Sequence, residues 1–253
     1  MQFLFSILRF YSCILILTVG LLGCAELNTA LNKVGSKPLS SAEIARGLKE
    51  ALNVGVSNGV SELVKTDGYF GNQAIKILLP PEAAKVQNII ETKIPGGKDL
   101  VSKAVLKMNR AAEDAANEAK PIFTKAITDM TILDARDILF GKQDAATSYL
   151  RQKTYQQLVS AYAPKINNSL KKVGAQQAWK AMVDPYNKVA GTVVGNAFGA
   201  KESIESDLGA YVTSKALDGL FHKVENKETD IRNNLSARTS ALLQRVFGEL
   251  DKR

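Results

Sequence analysis

The chain has 253 residues, 45% of them hydrophobic and 23% charged, with a formal net charge of +8. That composition excludes a disordered polar chain and can fill a core. A single histidine leaves no material for a His-rich metal site.

The apolar run from Cys13 to Leu22 follows Arg9 and precedes small residues. It is shorter than the roughly 20 residues of a spanning helix and has the layout of a secretory signal peptide. Leu21-Leu22-Gly23-Cys24 closes it and looks like a bacterial lipobox. In such a motif the Cys24 thiol takes a diacylglyceryl group and becomes the mature N-terminus, with palmitate among the acyl chains. The alternatives are an uncleaved anchor or an ordinary signal peptide with a chance cysteine. Each buried methylene contributes about 0.8 kcal/mol, so two or three chains would hold the protein on a membrane.

The sequence thus divides into a lipoprotein signal peptide (1–23), a lipidated N-terminus and tether (24–38) and one all-α domain (39–253). Removing residues 1–23 leaves 230, and loss of Arg9 lowers the charge from +8 to +7. Cys24 is then the one cysteine left, so no disulfide can form within the mature chain and a packed core must supply the stability. Ala25 follows Cys24 where an aspartate would suggest retention at the inner membrane. The expected location is the outer membrane, with the body facing the periplasm.

Ser40-Ser41-Ala42-Glu43 has the spacing of a capping box, and Ile44, Leu48, Ala51, Leu52, Val56, Val60 and Leu63 follow at helical spacing. Gly47, Gly55 and Gly59 imply close approach of a neighbour, or a break near Gly55. Asp67-Gly68-Tyr69-Phe70-Gly71-Asn72 reads as a turn, Ala74–Leu79 as a short buried helix and Pro81 as the first turn of the next helix. From Val101 to Met130, apolar positions including Ala104, Ala111, Ala115, Ala119, Ile122 and Ala126 step by three or four. This predicts the central helix, kinked or split by Pro121.

A helix from Thr131 to about Gly141 comes next, and Asp144 caps another that carries Tyr149, Tyr155 and Tyr162. Pro164 and Asp184-Pro185 read as further helix starts, followed by helices over 205–226 and 236–250. No strand alternation of useful length appears. The expected fold is an all-α multi-helix bundle with a long central helix.

Between Arg151 and Lys188, seven basic residues face Asp184 as the only acid. On an exported chain such a segment meets anionic lipid or cell-wall polymers rather than nucleic acid; the plainer reading is a set of solvated helix faces. Gly191, Gly195 and Gly199, spaced by four, suggest tight packing or an apolar loop that touches membrane or ligand.

Chemistry is sparse. No Gly-x-Ser-x-Gly, Gly-x-Gly-x-x-Gly or phosphate-loop pattern occurs, so no cofactor or metal is expected. Carboxylates remain: Glu113, and Asp134 with Asp137 on one helical face, as acid/base candidates if buried. Arg110 and Arg136 stand ready to pair with them instead. Three functions follow: a binding or structural envelope protein, a carrier of an apolar ligand in an inter-helix cavity, or a hydrolase-like enzyme using buried carboxylates.

A set of ordered landmarks carries a resemblance. They include Asp67-Gly68-Tyr69-Phe70, Ile75-Lys76-Ile77 with Leu79-Pro80, Met108-Asn109-Arg110-Ala111-Ala112-Glu113, Ala216-Leu217-x-Gly219-Leu220-Phe221 and Ile231-Arg232. Together they resemble the bacterial envelope family called domain of unknown function 4197, over about Pro38 to Gly248. The resemblance implies an exported, often lipid-anchored helical protein with no assigned activity, and no catalytic residue to carry over. Asn233-Asn234-Leu235 departs from the proline usual after the Ile-Arg landmark.

Overall fold

The structure, a computed structural model, describes residues 38–93, 95–172, 174–197 and 203–252. The expectations for residues 1–37, Cys24 included, and for Gly199 lie outside the described residues. Residues 41–253 form one compact unit.

Helix α1 (Ser41–Leu63) runs unbroken through its three glycines, so no break occurs near Gly55. The glycines are contact points. A Cβ on Gly47 would lie 2.6 Å from Val246, while Gly55 and Gly59 face Lys227 and Lys223. Ile44, Leu48, Leu52, Val56, Val60 and Leu63 are all buried.

Pro81, whose ring holds its own φ in the helical range, opens a 3-10 turn, Pro81–Ala83, that leads into α2 (Ala84–Lys93). Gly96 then takes a left-handed φ of 74°, which glycine adopts without strain, before α3 (Gly97–Ala115). The 101–130 periodicity becomes two helices rather than one. Pro121 has no N–H for the carbonyl of Asn117, and a 3-10 turn over Ala116–Glu118 separates α3 from α4 (Ala119–Asp129). Ala111, Ala112, Ala115, Ala116 and Ala119 are at most 1% exposed, which brings the neighbouring helices close. Beyond the split, the larger Phe123 and Ile127 turn inward in place of Ile122 and Ala126.

Thr131 and Asp134 form a reciprocal capping box at the start of α5 (Ile132–Leu139). Helix α6 (Ala145–Lys172), at 28 residues the longest among the described residues, occupies the centre that the sequence suggested for 101–130. Pro164 lies inside it and opens nothing. A proline inside a helix costs about 3 kcal/mol through the missing bond and the clash of its ring with the preceding turn. Burying Ile166 and Leu170 on the same stripe as Leu158 and Tyr162 returns about 3–6 kcal/mol at 1.5–3 each, so the helix continues.

Asp184-Pro185 likewise falls inside a helix, α7 (Ala175–Val189). Trp179 and Val183 anchor its inner face. Asn187 holds its far end by exchanging two 2.8 Å hydrogen bonds with the backbone of Ile204. After the short α8 (Val193–Ala197), Asp207 caps α9 (Leu208–Asn233), which starts later and runs further than 205–226. The last predicted helix reduces to α10 (Ala241–Phe247), capped by Ser240, with 3-10 turns at Leu235–Ala237 and Leu250–Lys252.

Helices α6 and α9 pack along each other. Helix α1 lies against α9, α5 and α10, and α3 and α4 cover another side of α6. The fold is an all-α bundle, and among the described residues no strand occurs.

Candidate functional site

One stretch departs from the helical rhythm, and side chains of α3 and α9 converge on it. Residues 73–75 form a turn and residues 76–80 carry no regular secondary structure, not the short buried helix expected for Ala74–Leu79. The reason is a side chain on α3. Asn109 is fully buried; its Oδ1 accepts the Ile77 N–H at 2.9 Å, and its Nδ2 donates to the Ile77 carbonyl at 2.8 Å. An asparagine amide thus stands where a neighbouring strand would.

The preceding turn is fixed as firmly. Asp67 adopts a left-handed φ of 67°. Glu113, 5% exposed, accepts the N–H groups of Tyr69 and Phe70, each at 3.2 Å. Arg110 pairs with Glu113 at 2.5 Å and with Asp67 at 2.6 Å, and these partners, Glu113 first, raise its pKa further. Tyr69 is buried, and its hydroxyl donates to the Ala216 carbonyl at 2.8 Å. Burial, then Tyr162 and Glu113, push that hydroxyl well above its usual range. Gly219 makes room: a Cβ there would lie 2.7 Å from the Tyr69 ring. Lys76 stacks 4.0 Å above the Phe70 ring.

This clamped segment walls an open groove of about 590 Å³. Ile77, Leu78, Pro80 and Pro81 give one apolar side; Tyr211, Lys215, Asp218 and His222 of α9 give the other. Leu78 is 58% exposed, although Ile75, Ile77 and Pro80 around it are buried. The Tyr211 hydroxyl donates to the Leu78 carbonyl at 3.1 Å. Asp218 sits 3.4 Å from Arg151 and 3.9 Å from Lys215. His222, the lone histidine, lines this groove with Nε2 at 3.3 Å from Asn226. By contrast, the gap among α1, α6 and α9 beside Glu228 measures about 20 Å³, room for about one water.

The three candidate carboxylates do not come together. Glu113 holds the 67–70 turn. Asp134 accepts from the Thr131 N–H at 3.0 Å and from its hydroxyl at 2.7 Å, and those bonds hold its carboxyl below the ordinary range. Asp137 is exposed on α5.

The 151–188 basic segment is dispersed. Arg151 pairs with Asp218, Lys165 with Glu118, and Lys153 lies over Tyr149. The 189–194 stretch puts Val193 and Val194 on the surface, 88% and 61% exposed, and gives Gly191 a left-handed φ of 73°.

Sequence reasoning missed three buried charges. Glu228 receives the N–H groups of Ala146 and Thr147 at 3.0 and 2.8 Å. The first turn of α6 is therefore closed from α9, whereas Asp144 accepts the Ser148 hydroxyl. Arg232, one turn on, pairs with Glu228 at 2.9 Å and donates to the carbonyls of Ile138 and Leu139 at the end of α5. Arg238 closes the end of α9 through Ile231 and Arg232 and pairs with Asp251. The Ile231-Arg232 landmark was the one signal available.

These residues define an all-helical body with a clamped loop and an open surface groove. The chain belongs to the family described as Protein of unknown function (DUF4197), matched over residues 38–248. No curated protein and no solved structure matches it. Among the described residues no helix is long and apolar enough to cross a membrane.

Proposed function

We propose that the protein is an exported bacterial lipoprotein, held on the envelope membrane by acylated Cys24, whose helical body is a binding module. One observation carries the binding half: landmarks from four parts of the chain meet to hold Leu78 and its neighbours as a rigid, partly exposed wall of the groove. Its volume falls in the range of about 300–1,000 Å³ typical of ligand sites. The lipobox Leu21-Leu22-Gly23-Cys24 supports the anchoring half. The candidate carboxylates have structural duties or stand apart on the surface, which favours binding over catalysis.

Cys24→Ala tests the anchor in cells fed labelled palmitate. Label and membrane sedimentation should both vanish; their persistence would refute lipidation at Cys24. For the groove, a photoreactive benzoylphenylalanine in place of Leu78 should give a discrete adduct in intact cells, and the same probe in place of the exposed Leu133 should not.

A further inference from the structure

The basic residues between Arg151 and Lys188 are not all paired. Lys171, in the last turn of α6, and Lys180, on α7, make no ion pair among the described residues. Both are exposed, and both line one cavity of about 390 Å³. Its walls are held in place. The Gln176 amide donates to the Ser206 carbonyl at 3.2 Å, and the Trp179 indole donates to the Glu205 carbonyl at 2.9 Å. Two α7 side chains thereby fix the loop that enters α9. On the α6 side, Asn167 lies so close that a Cβ on Gly209 would collide with its Oδ1. The one carboxylate lining the cavity, Asp207, is already committed: its Oδ1 accepts the N–H groups of Gly209 and Ala210. The start of α9 offsets that charge. Two ammonium groups remain unanswered, beside the amides of Asn167 and Gln177.

We propose that this cavity is a second binding site, for a phosphomonoester on a hydroxyl-bearing carrier. Such a group carries about −1.5 to −2 charges near pH 7, which matches two lysines acting as point charges. A single carboxylate would leave one lysine unanswered. Side-chain amides both donate to and accept from hydroxyl groups, so Asn167 and Gln177 suit the carrier. The cavity shares no lining residue with the Leu78 groove, and either reading can fail without the other. A phosphomonoester arrives on a lipid head group, as in phosphatidic acid, or on a soluble sugar or polyol, and the test separates the two.

The test is an NMR titration of isotopically labelled residues 38–253, which contain the whole compact unit, with glycerol 3-phosphate. The side-chain amide signals of Asn167, Gln176 and Gln177 should shift saturably, and glycerol alone should not move them. Lys171→Glu combined with Lys180→Glu should weaken binding at least about tenfold, the scale of one charge-assisted hydrogen bond. Lys188→Glu, an exposed charge on α7 outside the cavity, should leave binding unchanged, which separates this cavity from general attraction to a basic body. All three lysines are exposed, so the variants keep the fold, which circular dichroism checks. Vesicles of phosphatidylcholine and phosphatidic acid in equal parts identify the source. Sedimentation with them that the double variant loses, and that phosphatidylcholine alone does not give, marks a lipid head group; glycerol 3-phosphate binding without it marks a soluble ester. The proposal is overturned if glycerol 3-phosphate gives no saturable shift or if glycerol shifts the same signals. It is overturned equally if the double variant binds like the wild type, or no worse than Lys188→Glu.

Discussion

At the scale of single residues, buried polar groups do the joining in this protein. Asn109 and Asn187 use one device at two places: each clamps a residue outside the helices, Ile77 or Ile204, by exchanging two hydrogen bonds with its backbone. Neither was legible in the sequence, because an asparagine in a helix gives no sign of which distant backbone it faces. The pair Glu228–Arg232 was equally hidden. At i and i+4 it reads as an ordinary helix-surface pair, yet both side chains are at most 5% exposed. Its placement follows the helix dipole, with the carboxylate at the start of α6 and the guanidinium at the end of α5. Glu228→Gln strands a buried guanidinium, so urea unfolding should show a loss of about 3–5 kcal/mol. A change under about 1 kcal/mol would mean that the pair is not structural.

At the scale of elements, periodicity made the helices legible and prolines misplaced their ends. The amphipathic stripes of α1, α3 and α9 lie where the spacing put them, and Pro121 divides its helix as its missing N–H requires. Pro164 and Pro185 do not: beyond Pro164 the burial of Ile166 and Leu170 outweighs the one bond lost, and beyond Pro185 the Asn187 side chain ties the last turn to the backbone of Ile204. The Ala74–Leu79 segment is the instructive failure: its composition suits a buried helix, but its partner is an amide 32 residues away. The α1 glycines differ in kind. At Gly47 a methyl group would meet Val246 at 2.6 Å, whereas at Gly59 the nearest atom is 3.8 Å away. Gly47→Ala should therefore destabilise by about 1–3 kcal/mol through overpacking. Gly59→Ala should stabilise by up to about 1 kcal/mol through helix propensity. Thermal melts of the two variants should shift in opposite directions.

At the scale of the whole molecule, acid is the weak side. Burial pushes the Glu62 carboxyl up, but Lys227 and Lys223 of α9 outweigh it and hold the net pKa below the ordinary 4.5. Asp251 is held below the ordinary 3.8 by Arg238. Folded values below unfolded ones mean that this stability is present above the unfolded pKa and is lost as pH falls through the folded one. The melting temperature should stay level from about pH 7 to 5 and drop below about pH 4.5, and Glu62→Gln should shrink that drop. The groove was legible only in part: its landmarks stood out in the sequence, but their meeting depends on α3 and α9 closing around one loop. The Glu228 junction also bears on the order of folding. The first turn of α6 is completed by a residue 82 and 81 positions later in the chain, and the end of α5 by one 94 and 93 positions later. A chain emerging from its N-terminus cannot finish either helix until α9 has followed. Partial products up to about residue 220 leave those ends open, so chains truncated there should be cleaved faster by protease at α5 and α6 than the full chain.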